Sequence, residues 1–168
     1  MPDDALRPEQ REVVRLFFSM PDSDGFVLVG GAALVAPGLT DRPTEDVDIA
    51  HDTAASRPLV NSDLGPTFDP LEHAARKALA VFDRAEARDF VDLYRLSTLF
   101  SNAQILALAG ELDLGFDERV FAQSLRSINR FRDNALPCEP DDRSIVRSFA
   151  NDWADELEQS VGHRTRTT

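Results

Sequence analysis

The feature that most constrains this sequence is a short apolar run that stops at two glycines. Residues 26–29 read Phe-Val-Leu-Val, and Gly30 and Gly31 follow directly. A fully apolar run of four residues after the turn residues 22–25 predicts a buried β-strand. Residues 32–36 then begin a short helix that Pro37 disrupts. The segment therefore predicts a strand that runs into a helix through a glycine turn.

A glycine turn of this kind has two interpretations. Backbone N–H groups are free at the start of the helix, and glycine lets a phosphate approach them closely. Helix-capping turns also use glycine routinely, because it tolerates unusual backbone angles. Gly30 and Gly31 by themselves leave both interpretations open.

An acidic pair follows the glycines after about fifteen residues, in Asp46-Val47-Asp48-Ile49. If this is a strand, both aspartates lie on one face while Val47 and Ile49 face the core. Two such carboxylates repel each other unless cations lie between them, and two-metal phosphoryl transfer uses that arrangement. The alternative is an edge strand with a solvated acidic face.

Composition narrows the class of protein. The chain has 168 residues, of which 42% are hydrophobic, and its net charge is −12. No apolar run approaches the roughly 20 residues that span a bilayer, and the acidic start is unlike a signal peptide, so we expect a cytoplasmic protein with no membrane contact. Single Cys138 excludes an intrachain disulfide. A nucleic-acid substrate would need a local basic face, for which Arg126, Arg130 and Arg132 are candidates and a solvated helix face is the alternative.

The expected fold is α+β, with a small, incomplete sheet and an all-helical second half. Asp69-Pro70-Leu71-Glu72 has the residues of a helix start, and we interpret residues 51–68 as a loop. We predict an α/β portion at 1–69, a helical portion at 70–159 and a disordered tail at 160–168. The predicted helices are 8–20, one from 69, then 86–100, 102–109, 117–132 and 141–159.

Four motifs together resemble a known family. They are Val29-Gly-Gly-Ala-Ala-Leu34, Arg42-Pro-Thr-Glu-Asp-Val-Asp48, the chain's only lysine, Lys77, and Arg88-Asp-Phe-Val-Asp92. Their order resembles the polymerase-β-like nucleotidyltransferases, and most closely the AbiEii/AbiGii-type toxins of bacterial toxin–antitoxin systems, which include the mycobacterial MenT-like toxins. The resemblance covers about residues 26–132.

The resemblance implies a role for each motif residue. Gly30 and Gly31 would cradle a triphosphate with Thr44 beside them, and Asp46 and Asp48 would bind Mg²⁺ or Mn²⁺. Lys77 would reach the phosphates of the nucleotide, and Asp92 would orient Lys77. The alternatives are a solvated helix position for Lys77, and for Asp92 a surface pair with Arg88 or Arg95 on its own helix.

The implied activity is transfer of a nucleotide from an NTP to an RNA, for the mycobacterial relatives the 3′ end of tRNA, which blocks translation. A cognate antitoxin is the implied partner. The segment between Ile49 and Asp69 is shorter than in the family and lacks the strand that carries a third metal-binding acid, for which Asp52 and Asp63 are the nearby substitutes. The alternative function is therefore a catalytically impaired homologue that acts by binding.

Missing strands would also leave apolar faces uncovered. The side chains concerned are Val27, Val29, Val47 and Ile49, and burial of each contributes roughly 1.5–3 kcal/mol. We therefore expect self-association into a homo-oligomer or association with the antitoxin. A plain helical interaction module is a third interpretation, which would leave all four motifs as coincidence.

Overall fold

Two structural units divide the chain, Met1–His73 and Ala74–Thr168. The computed structural model describes residues 5–164. Within these residues the first unit holds a four-stranded sheet and the second is helical. The prediction of an α+β fold with a helical second half is confirmed.

The sheet of the first unit is mixed. The elements of the first unit are α1 (Pro8–Ser19), β1 (Phe26–Val29), α2 (Gly30–Val35), β2 (Asp48–His51), β3 (Val60–Ser62) and β4 (Gly65–Thr67). The strand order is β2-β1-β4-β3. Strand β1 pairs antiparallel with β2 and parallel with β4, and β3 pairs antiparallel with β4. Strand β1 is therefore a central strand, and β2 is an edge strand.

Two predictions about this sheet are wrong. Residues 51–68, interpreted as a loop, contain β3 and β4. Each of these strands has three residues, which is too short to show an alternating pattern. The second strand begins at Asp48 and not at Asp46, and Asp48 lies opposite Val29 in the antiparallel ladder.

The core of this unit lies under β1 and α1. Val27 and Leu28 are fully buried, and Leu28 shares one core cluster with Val14 of α1 and Leu64. Gly65 has a φ of +143°, and a Cβ there would overlap the ring of Phe18, so α1 approaches β4 directly over this glycine.

The expectation of an uncovered sheet face is only partly met. Val27 is fully buried, and Val47 packs against the core cluster. Ile49 was expected to face the core, but it is 36% exposed on the edge strand β2.

The helices that complete the chain are α3 (Pro70–Asp83), α4 (Ala87–Ser97), α5 (Asn102–Leu112), α6 (Glu118–Arg126) and α7 (Asp142–Arg164). Asp69 caps α3 by accepting the Leu71 N–H at 2.9 Å. Asp117 caps α6 by accepting two backbone N–H groups. These two starts are where the sequence predicts them.

The ends of α6 and α7 differ from the prediction. Helix α6 ends at Arg126, and a 3₁₀ turn at Ser127–Arg130 replaces its last predicted turn. Helix α7 runs to Arg164, five residues into the predicted disordered tail, and residues 165–168 lie outside the described part of the chain.

Aromatic rings pack against one another between α6 and α7. The rings of Phe121 and Trp153 meet edge to face with centroids 5.2 Å apart, and Phe149 lies 5.5 Å from Trp153. None of the helices described is both long enough and apolar enough to cross a membrane.

Candidate functional site

The glycine pair lies against the acidic segment. Gly30 has a φ of +68°, which favours glycine. A Cβ on Gly30 would overlap the carboxylate of Asp48, and a Cβ on Gly31 would lie 2.7 Å from Thr44 Oγ1 and 3.2 Å from Arg42 Nη2. Both glycines are therefore required for residues 42–48 to lie directly on the start of α2.

Hydrogen bonds hold the acidic segment in place. The Thr44 N–H donates to the Ala5 carbonyl at 3.0 Å. The Gln10 side chain donates from Nε2 to the carbonyls of Thr44 at 3.2 Å and Glu45 at 2.9 Å. Because Ala5 is buried and Gln10 is on α1, the segment is fixed by the start of the chain as well as by the sheet.

The structure thus brings together five of the motif residues of this unit. They are Gly30, Gly31, Arg42, Thr44 and Asp48. Asp46 lies just before β2, its carbonyl accepts the Thr44 hydroxyl at 3.3 Å, and its side chain is exposed, like that of Asp48. Arg42 is buried, and sequence analysis assigned it no role although it is part of the motif.

Asp46 and Asp48 fit a metal ion that is bound partly by the protein and partly by water and a substrate. Among residues 5–164, no three His, Cys, Asp or Glu side chains are placed to hold a metal ion. Magnesium often binds proteins through only one or two carboxylates and completes its shell with water and substrate phosphates. Asp46 and Asp48 are compatible with that kind of binding, but not with a site made of protein ligands alone.

In the helical unit, Lys77 binds two buried carboxylates. Its ammonium lies 3.2 Å from Asp89 Oδ1 and 2.9 Å from Asp92 Oδ2. Both aspartate side chains are 0% exposed, and that of Lys77 is 12% exposed. The interpretation of Lys77 as a solvated position is wrong, and so is that of Asp92 as a surface residue.

The helical hairpin of α3 and α4 explains this meeting. Lys77 lies seven residues before Arg84, and Asp92 lies seven residues after Ala85. Helices joined by a short connection are usually neighbours in space, so residues at similar distances from the connection can meet. Asp89 is three residues before Asp92 and therefore lies on the same face of α4.

Arg84 completes the cluster from the surface. Its guanidinium donates to both oxygens of Asp89, from Nε at 2.9 Å and from Nη2 at 3.0 Å. Burial opposes ionisation of Asp89, but the hydrogen bond from Arg84 and the charges of Lys77 and Arg84 outweigh it and lower the pKa of the carboxyl. The family resemblance gave no role to Asp89, although it lies in the motif at 88–92, and none to Arg84.

Two of the three arginines considered as phosphate contacts bind the protein itself. Arg126 binds Asp155 and Glu158 of α7, and the hydrogen bonds that it donates to Glu158 and, to a lesser extent, to Asp155 raise the pKa of Arg126. Arg130 donates to the Ala85 carbonyl at 2.7 Å. These contacts join helices of the second unit.

Two buried polar residues at the start of α3 hold neighbouring segments in place by hydrogen bonds, a role that the sequence does not predict. Glu72 accepts the N–H groups of Ser56 and Arg57 at 3.0–3.1 Å. His73 Nε2 lies 2.9 Å from the Thr67 hydroxyl, which donates to the Leu28 carbonyl. Because that hydroxyl has one proton, His73 Nε2 is the donor to Thr67.

A family model described as "Nucleotidyl transferase AbiEii toxin, Type IV TA system" matches residues 65–166. The matched region contains Lys77, Arg84, Asp89 and Asp92, and it begins after the segment from Gly30 to Asp48. No curated protein and no solved structure matches the chain.

Proposed function

Because the chain belongs to the AbiEii family of nucleotidyltransferase toxins of type IV toxin–antitoxin systems, we propose that it transfers a nucleotide from an NTP to an RNA acceptor. The acceptor we propose is the 3′ end of tRNA, whose modification blocks translation. Family membership also implies a cognate antitoxin. The observation that carries the proposal is the lysine held by two buried carboxylates inside the matched region.

In this proposal Lys77 binds the phosphates of the nucleotide. An ammonium has three N–H donors, and the two carboxylates use two of them. The third is left for a phosphate oxygen, and Asp92 sets its direction. Arginine at this position would present a planar fork and would not reproduce that geometry.

The residues of the first unit are assigned their roles by the family resemblance. Asp46 and Asp48 would hold Mg²⁺ or Mn²⁺, which when bound would activate the attacking hydroxyl of the acceptor and stabilise the pyrophosphate that leaves the NTP. Gly30 and Gly31 let the acidic segment and the triphosphate lie close to the backbone, and Thr44 lies beside them.

A labelling assay tests the proposal. Wild-type protein is incubated with each α-³²P-labelled NTP, Mg²⁺ and total tRNA, beside Asp46→Ala, Lys77→Ala and the control Asp22→Ala, an exposed aspartate outside the motifs. We expect label on tRNA with the wild type and the control, and none with the two site variants. Circular dichroism checks that each variant is folded.

Two results would contradict the proposal. The absence of labelled RNA with every NTP would rule out the transferase activity on tRNA. Label that persists in both folded site variants would mean that the site residues are wrongly assigned.

A second candidate function is binding without catalysis. The observation that favours it is that no three potential metal ligands converge among the described residues. Growth of cells that express the wild type or Asp46→Ala separates the two functions. Equal growth inhibition by both proteins supports binding, whereas inhibition by the wild type alone supports catalysis.

A further inference from the structure

We infer that Asp89 and Arg84 are positioning residues for Lys77 and that they make it a directional donor rather than a free positive charge. This inference rests on the proposed function of Lys77 as a contact to the nucleotide phosphates. Within this cluster, the family resemblance assigned roles only to Lys77 and Asp92. Asp89 is a second carboxylate on Lys77, and Arg84 holds Asp89 in place.

The first step is the geometry of the ammonium. Lys77 Nζ contacts Asp89 Oδ1 at 3.2 Å and Asp92 Oδ2 at 2.9 Å, and these carboxylates lie one helical turn apart on α4. One carboxylate would leave a flexible lysine free to rotate about that single contact. Two carboxylates define the positions of two N–H groups, and tetrahedral geometry then defines the third.

The second step is the support of Asp89. Arg84 binds both of its oxygens, at 2.9 Å and 3.0 Å, in the two-pronged geometry that suits guanidinium and carboxylate. Asp89 is 0% exposed, whereas Arg84 is 50% exposed. Arg84 therefore fixes the buried carboxylate from the surface end of the hairpin, and Asp89 transmits that restraint to Lys77.

The charges of the cluster cancel. It contains two cations and two carboxylates, those of Lys77, Arg84, Asp89 and Asp92. An anion that approaches Lys77 therefore meets a well-placed donor but little net attraction. Replacement of Asp89 by Asn removes one negative charge, which leaves the group at +1 with a less well-oriented lysine.

The geometry and the charge of the cluster together predict an unusual combination of kinetic effects for Asp89→Asn. The kcat for nucleotide transfer should fall, by about 100-fold if the ammonium moves by about 1 Å. The KM for the NTP should fall as well, because the local charge becomes positive. Simple loss of folded protein lowers the apparent kcat, but it cannot lower KM.

A direct readout follows from the presence of a single lysine in the chain. Acylation by an amine-reactive ester, located by mass spectrometry, reports on Lys77 separately from the terminal amine. We expect slow acylation in the wild type and several-fold faster acylation in Asp89→Asn. Arg84→Gln should shift the rate in the same direction by less.

The matched control for Arg84→Gln is Arg147→Gln. Arg147 also binds a carboxylate and two backbone carbonyls in the helical unit, but it contacts Asp133 and not the Lys77 cluster. Its variant should leave both the acylation rate and KM unchanged. If Asp89→Asn fails to fold, Arg84→Gln carries the test, since Arg84 is half exposed.

The outcomes separate this inference from the proposed function. An unchanged acylation rate in folded Asp89→Asn and Arg84→Gln overturns the inference, and so does a higher KM in Asp89→Asn. Faster acylation together with a wild-type protein that labels no RNA supports the positioning of Lys77 and contradicts the proposed transfer reaction.

Discussion

At the scale of single residues, the ion pairs of Lys77 should contribute measurably to stability. Lys77→Met keeps the length of the side chain but takes the ammonium away from two buried carboxylates. Removal of one partner of a buried ion pair lowers the free energy of unfolding by about 3–5 kcal/mol. Urea unfolding followed by circular dichroism measures this loss.

Arg126→Met is the control for that prediction. Arg126 also binds two carboxylates, Asp155 and Glu158, but all three side chains are substantially exposed. Solvent screens such pairs, so we expect a much smaller loss of stability. Equal losses in the two variants would show that the Lys77 cluster is not buried as described.

The lowered pKa of Asp89 predicts a dependence of stability on pH. An unfolded aspartate has a pKa of about 3.9, so the unfolded state binds more protons than the folded state near that pH. The contribution of Asp89 is therefore present above about pH 4 and is lost as pH falls through the lower folded value. Urea midpoints measured from pH 6 to pH 3 should fall more steeply for the wild type than for Asp89→Asn.

Only two of the four residues of this cluster could be predicted from the sequence. Lys77 and Asp92 stood out because the family resemblance pointed to them. Asp89 and Arg84 did not, because they pair across the connection between α3 and α4. The conformation of that connection decides whether the two side chains meet, and no local sequence pattern predicts it.

At the scale of elements, the glycine turn at the start of α2 should tolerate no side chain. In Gly31→Ala the new Cβ would lie 2.7 Å from Thr44 Oγ1, which forces the segment from Arg42 to Thr44 to move. We expect a loss of about 1–3 kcal/mol of stability, as for other overpacked positions. Thermal unfolding would measure it.

Gly110→Ala is the matched control for this substitution. Gly110 lies within α5, and a Cβ there meets nothing within 4 Å. Alanine favours a helix over glycine by about 1 kcal/mol, so this variant should be more stable than the wild type. A Gly31→Ala variant that is equally stabilised would contradict the close contact with Thr44.

The start of α3 offers a local test by hydrogen exchange. Glu72 accepts the N–H groups of Ser56 and Arg57, which lie in the connection from β2 to β3. Glu72→Ala should accelerate exchange of these two amides by removing their acceptor. The amides of β1 serve as the internal control and should exchange as in the wild type.

The elements that sequence analysis missed share a physical cause. Strands β3 and β4 have three residues each and include Gly65 and Pro66, which disfavour strands in general. They form because β4 pairs with the central strand β1, a contact distant in sequence. The longer helices were predicted well because their apolar spacing repeats over several turns.

At the scale of the whole molecule, the prediction of self-association remains to be tested. The exposed apolar side chains of the sheet lie at its edges, with Ile49 on β2 and with Leu59 and Val60 at β3. Edge strands of this kind can pair with a second chain. Light scattering should give a mass above the 18.6 kDa of one chain.

Variant Val60→Lys tests that prediction further. A lysine on an edge strand disfavours pairing with another chain. We expect the mass to fall to that of a monomer, with the helical unit unaffected. A wild-type protein that is already monomeric at all concentrations would contradict the prediction.

The tether between Ala5 and Thr44 has a practical consequence for anyone who produces this protein. Ala5 and Leu6 are buried, and the Ala5 carbonyl accepts the N–H of Thr44, two residues before Asp46. An affinity tag at the amino terminus therefore joins the chain only a few residues before the contact that holds the acidic motif. Comparing the tagged protein with the same protein after cleavage of the tag, in the labelling assay, would show how strongly the motif depends on the residues that precede it.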